Sequence, residues 1–181
     1  MAGVGEVGYR VTGMDLSAEQ ASATRRLLAE SGVEARVFVG NVSRLPLSDE
    51  QFDFAYSINV FHHLETLEDQ VEALREAARV IRPGGLFFLH EINVTNQLFR
   101  FHMNYVFPLI HDIDEGTERW IKPKAVPDVP GLTLAGVEYL TFVPDFVPKS
   151  LFRLALPIEN RLERSFLKSW SAHYMAVFRR T

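Results

Sequence analysis

Cysteine is absent from the 181-residue chain. That excludes disulfides, thiolate metal sites and cysteine nucleophiles. Long hydrophobic runs are also missing, since no stretch approaches the ~20 apolar residues of a membrane span. The richest, residues 98–113, is broken by Arg100, His102, Asn104, Pro108, His111 and Asp112. The opening Met1-Ala2-Gly3-Val4-Gly5-Glu6 has no basic region followed by an apolar one, so no signal peptide is expected. There is no excess of positive charge either. The formal net charge of −4 gives no electrostatic reason to bind nucleic acid. No repeat, low-complexity segment or interdomain linker interrupts the chain. What remains is the balance of a soluble globular protein, 47% apolar and 23% charged, long enough to bury one sizeable core. The expectation is one cytoplasmic domain, residues 1–181.

The first half alternates strand and helix signals. Arg10–Met14 is a short, mostly apolar run that predicts a strand. Ser17, with Gln20 three residues on, predicts a capping box and a helix to about Ser31, ended by Gly32. Residues 35–39 and 52–58 predict two more strands. Leu67, Val71, Leu74, Ala78 and Ile81 recur at spacings of four and three, an apolar helical stripe. Thr66 can cap that helix, with Asp69 favourably placed in its first turn. Pro83-Gly84-Gly85 is expected to end it, and Leu86-Phe87-Phe88-Leu89 to form a strand buried on both faces. This order predicts an α/β fold: a Rossmann-like open, mostly parallel sheet with helices on both faces. Residues 1–93 form its first half.

The second half, 94–181, reads differently. Residues 96–110 are aromatic-rich and predict a helix up to Pro108. Residues 122–130 hold three prolines and predict a loop. Residues 137–142 and 173–178 predict a final antiparallel strand pair. Leu151, Leu154, Ile158, Leu162 and Phe166 suggest an amphipathic helix bent near Pro157.

Thr12-Gly13-Met14-Asp15-Leu16-Ser17 places a carboxylate between a strand end and a helix cap. In open α/β folds ligands bind at the carboxyl ends of strands, where such a group can accept hydrogen bonds from ribose hydroxyls. It can equally cap the turn, and the spacing leaves both readings open. Four segments together resemble the class I S-adenosylmethionine-dependent methyltransferases, in particular the small "type 11" domain. They are residues 11–17, Gly40-Asn41-Val42-Ser43-Arg44-Leu45-Pro46-Leu47 with Phe52-Asp53, Val60-Phe61-His62-His63-Leu64, and Ala78 to Leu86 with its Arg82-Pro83-Gly84-Gly85 turn. The resemblance covers residues 9–91.

The resemblance implies S-adenosyl-L-methionine as cofactor. Asp15, with Leu16 beside it, would hold the ribose, and Asn41 and Val42 would flank the adenine. Asn41 stands where the family usually has aspartate. Ser57 and Ile58 would approach the methionine part through their backbone. The family begins with a strand, a glycine-rich loop and a helix before the strand at Arg10. Only nine residues precede Arg10 here, too few for a crossover of at least ~10–12 residues. The first strand and glycine loop are therefore expected to be missing. Gly3-Val4-Gly5-Glu6-Val7-Gly8 fits a G-x-G-x-x-G pattern, but no strand precedes it and no helix follows.

Substrate-side candidates are His62, His63, His90, Glu91, Phe101 and Tyr105. His62 and His63 are adjacent, which on a helix turns them ~100° apart and makes them poor joint metal ligands. His90 and Glu91 could be a base and its orienter, although strand neighbours face opposite ways. His111, Asp112, Asp114 and Glu115 lack calcium-loop spacing and suggest a solvated loop. No metal site is expected. Phe101 and Tyr105 share a helix face, either packed on the sheet or, with Phe99 and Phe107, forming a lid over an apolar substrate. The expected function is methyl transfer to an unidentified small molecule, with an apolar or lipid-like acceptor as the sharper form of that expectation. A non-catalytic remnant or interaction domain, and an NAD(P)-dependent oxidoreductase using Asp15, are the alternatives. The sequence names neither the acceptor nor an oligomeric state.

Overall fold

The computed structural model describes residues 10–106, 119–123, 125–142, 161–162 and 165–181. The chain separates into two compact units, Met1–Ser48 and Asp49–Thr181. The glycine pattern at residues 3–8, the acidic cluster at 111–115, Phe107, and residues 151–160 of the expected late helix lie outside the described residues.

The first unit contains β1 (Val11–Asp15), α1 (Ala18–Glu30) and β2 (Ala35–Val39). The strands are parallel and in register from Val11↔Ala35 to Asp15↔Val39. Ser17 Oγ accepts from Gln20 N at 3.3 Å, so the predicted cap is present. Its reciprocal half is not: Ser17 N donates to Asp15 Oδ1 at 2.8 Å rather than to the Gln20 side chain. Gly32 follows the helix with φ +67°, a conformation that glycine adopts without strain. The helix buries only Ala21 and Leu28.

The second unit holds a four-stranded sheet in the order β3-β4-β6-β5. β3 (Phe52–Ile58) runs parallel to β4 (Ile81–Ile92), while β6 (His173–Arg180) is antiparallel to β4 and to β5 (Leu132–Leu140). The mostly parallel start and antiparallel finish are as expected, but they fall in two sheets, β1 and β2 forming the other. Between β3 and β4 lies α2 (Leu67–Val80), whose capping box is complete. Asp69 N donates to Thr66 Oγ1, and Asp69 Oδ2 accepts from Thr66 N.

Four details of the expected pattern are corrected. The apolar stripe of α2 is rotated: Ala73, Leu74, Ala77, Ala78 and Val80 are buried with Gln70, whereas Leu67 is exposed. The small alanines let the helix lie close to the sheet. Second, Pro83-Gly84-Gly85 does not stop the helix. The helix ends at Val80, and the three residues lie inside β4 at a register shift. A side chain at Gly85 would meet Ile81 Cγ2 at 2.5 Å and Asp53 O at 2.6 Å, so the strand passes its neighbour there only as glycine. Third, β4 alternates instead of being buried on both faces. Phe87, Leu89 and Glu91 are buried, and Leu86, Phe88 and His90 half-buried. Fourth, β5 starts at Leu132 and ends at Leu140, earlier at both ends than residues 137–142.

The core lies on the α2 side of the sheet. Phe87 stands between Phe61 and Phe178, with ring centroids 6.1 and 6.2 Å away. Leu74, Ile81, Leu89 and Tyr174 are fully buried beside them. Each such side chain contributes about 1.5–3 kcal/mol by leaving water. After β4, α3 (Gln97–Phe101) continues as one π-helical turn, His102–Val106. A 3₁₀ turn, Phe166–Trp170, precedes β6.

Candidate functional site

The carboxyl ends of β3 and β4 carry a buried cluster of polar groups. After β3 the chain turns through a short 3₁₀ segment, Phe61–His63. Glu91, near the end of β4, reaches back to that segment with both oxygens. Oε1 accepts from Val60 N at 3.1 Å and Phe61 N at 2.8 Å. Oε2 lies 2.6 Å from His62 Nδ1. Glu91 is 1% and His62 3% exposed. A charge buried this deeply is tolerable only because every lone-pair direction it uses meets a donor. With the carboxylate accepting, Nδ1 carries a proton and Nε2 is the ring nitrogen left for a further partner.

The imidazole is also held by its faces. Trp120 stacks on it, with centroids 4.7 Å apart and planes at 18°. The buried Gln70 side chain donates to Phe61 O at 3.1 Å and Arg119 O at 3.0 Å, while Arg119 N donates to His62 O at 2.9 Å. One glutamine thus ties the 3₁₀ turn to the segment carrying Trp120. Tyr174, opposite Glu91 on β6, donates to Ile121 O at 2.8 Å. Burial, with the nearby Glu91 charge second, pushes its phenol well above the usual tyrosine range.

His90 and Glu91 do not form a pair, in keeping with the opposite facing of strand neighbours. His90 lies on the opposite face of β4, its ring edge-on to His173 at 5.2 Å. The partner of Glu91 is His62, 29 residues away, because strand alternation turns His90 away and β3 delivers its following turn onto the Glu91 face. His63 is exposed, its ring 4.1 Å from that of His62. Beside them, Ser57 Oγ and Asn59 Oδ1 are buried without a hydrogen-bond partner among the described residues. Asn59 takes φ +52°, and its N–H donates to His90 O at 2.9 Å. Ile58 is exposed.

In the first unit, Asp15 and Asn41 come to the same end of the parallel pair β1 and β2. Gly40 N donates to Asp15 O at 3.0 Å. A side chain at Gly40 would meet Met14 Sδ at 2.7 Å, so the Met14 side chain would have to shift to admit one. Asp15 is exposed; its Oδ1 caps Ser17, and Oδ2 has no hydrogen bond among the described residues. Asn41 Oδ1 accepts from Ser43 N at 2.8 Å, which leaves its amide N–H₂ facing outward as a donor. Val42 is half-buried and Leu16 exposed.

The methyltransferase domain family matches residues 1–89. That match supports reading the chain as a class I S-adenosylmethionine-dependent methyltransferase. The chain is 34% identical over 113 residues to demethylmenaquinone methyltransferase of Halalkalibacterium halodurans, covering 59% of this chain and 44% of that one. It is 34% identical over 111 residues to 24-methylenesterol C-methyltransferase 2 of Oryza sativa subsp. japonica, covering 60% of this chain and 30% of that one. The chain thus spans less than half the length of these curated relatives. Among solved structures, an S-adenosylmethionine-dependent methyltransferase of Methanosarcina mazei superposes with a TM-score of 0.66 at 16% identity, over 98% of this chain and 85% of that one. That likeness speaks for the methyltransferase fold. Among the described residues no helix is long and apolar enough to cross a membrane.

Phe101 and Tyr105 meet as expected, with centroids 5.4 Å apart. They are not packed on the sheet, however, being 55% and 65% exposed. Phe99 takes the inward place, edge-on to Trp120 at 5.6 Å. Four polar residues of the second unit escaped the sequence reading: Gln70, Asn59, Asn93 and Asn96. Gln70 left a signal, a polar residue on the buried side of a strongly amphipathic helix.

Proposed function

We propose that this chain takes part in methyl transfer from S-adenosylmethionine to a lipid-like small molecule. The observation that carries the reading is Asp15. It stands at the carboxyl end of a parallel strand, exposed, with one oxygen committed to the following helix and the other without a hydrogen bond among the described residues. This suits acceptance from ribose hydroxyls, so the ribose and helix-cap readings of Asp15 are compatible. Asn41 would donate its free amide to the adenine edge. In the second unit, Ser57, whose Oγ has no hydrogen-bond partner among the described residues, and Ile58 are suited by residue type to the methionine part. These residue types fit the cofactor, which when bound supplies an activated methyl on a sulfonium.

Methyl transfer further needs the acceptor atom aligned, water excluded and, for a hydroxyl or phenol, a proton removed. His62 is suited to receive that proton at Nε2. Glu91 fixes the ring and balances the positive charge that results. The relatives named for demethylmenaquinone and for a sterol have lipophilic acceptors, which supports a lipid-like substrate here.

A calorimetric titration of the chain with S-adenosylhomocysteine tests this. Saturable binding near the micromolar range, about −8 kcal/mol, is expected, and Asp15→Ala should weaken it by about tenfold. A folded chain that takes up no S-adenosylhomocysteine would sink the reading and favour a non-catalytic domain. Uptake of NADH alone would favour an oxidoreductase.

A further inference from the structure

The second unit exposes an unusual set of large apolar side chains. Leu98, Phe101 and Tyr105 on α3 and the following π turn are 47%, 55% and 65% exposed. Phe166 and Trp170, on the 3₁₀ turn before β6, are 90% and 52% exposed. Singly exposed apolar residues are ordinary, but five on two adjoining elements are not. The two elements are joined by a clasp of buried amides. Asn93, with no exposure, donates through Nδ2 to Ser169 O at 2.9 Å and Ser171 O at 2.8 Å. Asn96, 4% exposed, donates to Trp170 O at 2.8 Å and accepts from Phe99 N at 2.7 Å. Thr95 Oγ1 adds a bond to Ser169 O at 3.0 Å. The amides that start α3 therefore also fix the backbone carrying Trp170. The two elements that carry the apolar side chains are thus hydrogen-bonded to each other.

Among the described residues, these two elements carry a charge opposite in sign to that of the whole chain. The chain is −4 overall, yet residues 93–106 and 165–172 contain no aspartate or glutamate. They do contain Arg100 and Lys168, both exposed and neither ion-paired with a described carboxylate. Phenylalanine, tyrosine and tryptophan beside arginine and lysine, without acids, suit the headgroup region of a bilayer. There the rings enter the acyl boundary, and the cations meet lipid phosphates.

We infer that this face, built on Leu98, Phe101, Tyr105, Phe166 and Trp170, docks the protein on the surface of an anionic phospholipid bilayer. It lies in the interface without crossing. The inference does not rest on methyl transfer, since vesicle binding requires neither cofactor nor acceptor.

Co-sedimentation with vesicles, either purely zwitterionic or with about one part in four anionic lipid, tests it. The chain should sediment with the anionic vesicles and should bind several-fold more weakly as salt rises to physiological strength. Joint replacement of Phe101, Phe166 and Trp170 by Ala should reduce binding by about tenfold or more. Arg100→Glu with Lys168→Glu should remove the preference for anionic vesicles. All five side chains are exposed, so an unchanged far-ultraviolet dichroism spectrum is expected for both variants. The inference is overturned if the chain fails to sediment with either vesicle, or if the aromatic variant binds as well as the parent. It is equally overturned if sedimentation velocity finds a dimer that the aromatic variant loses while neither protein binds lipid. That result would make the occupant a second copy of the chain.

Discussion

The two units are built on one recipe, strand, helix and parallel strand, and differ sharply in what it buries. β1, α1 and β2 form a pair of five-residue strands and a helix that hides two side chains. β3, α2 and β4 form strands of seven and twelve residues around a helix that hides six. The helices are nearly equal in length, 13 and 14 residues. Local sequence therefore specifies the recipe in both. The difference arises downstream: β6 covers β4 along seven paired residues, and the 119–123 segment closes over the end of the sheet. A β-α-β motif supplies pairing, while depth of burial comes from elements that arrive later in the chain.

The largest contrast between the units should come from their strand-end carboxylates. Glu91→Ala strands the N–H groups of Val60 and Phe61 and the ring of His62 in a dry site, and about 3–5 kcal/mol of stability should go. Asp15→Ala removes one exposed acceptor and should cost about 1 kcal/mol or less. Chemical denaturation of the two variants measures both. Equal losses would break the comparison.

Leucine truncation sharpens it next. Leu74 of α2 is fully buried, so Leu74→Ala should cost about 3–5 kcal/mol. Leu28 is 4% exposed but belongs to a thin layer that can relax, so Leu28→Ala should fall near the lower bound of such changes, about 2 kcal/mol. Matching shifts in denaturation midpoint would mean that the first unit is packed as firmly as the second.

Much of the recipe is legible in the sequence, because it is written over neighbouring residues. The bounds of β2 and β3 follow from short apolar runs, and those of α2 begin at a Thr66–Asp69 cap that needs no tertiary context. The polar site is not legible in the same way. His62 and Glu91 are 29 residues apart, and only the parallel register of β3 on β4 brings them together. The sequence offers His90 as a nearer partner, and strand alternation forbids it. The Asn93 and Asn96 clasp joins residues more than 70 apart, so no local pattern announces it. Pro83-Gly84-Gly85 misleads for the opposite reason. As a local signal it ends a helix, but the space between Ile81 and Asp53 makes it part of a strand.

Tyr174 gives an intermediate effect with a pH signature that the first unit lacks. Its phenol is held neutral by burial first and by Glu91 second, which raises its folded-state value above that of the unfolded chain. The resulting stability is whole below the unfolded value near ~10 and is lost as pH climbs above it. Tyr174→Phe should cost about 1–2 kcal/mol at neutral pH by stranding Ile121 O. It should also flatten the fall of Tm between about pH 9 and 11. A parallel fall in both proteins would assign the alkaline loss to other groups.

The smallest expected difference isolates the helix starts from everything that covers them. Thr66 both caps α2 and is bonded in return by Asp69, at 3.0 and 3.1 Å, whereas Ser17 makes one longer bond of 3.3 Å to Gln20 N. Both caps are exposed, so substitution leaves the cores intact. Thr66→Ala should cost about 1 kcal/mol and Ser17→Ala about 0.5 kcal/mol. If helix initiation is a local property, as the similar lengths of α1 and α2 suggest, the ratio should persist when Glu91→Gln weakens the second unit. A Thr66 effect that shrinks in the Glu91→Gln background would instead couple the cap to the His62 turn, which lies only three residues before it.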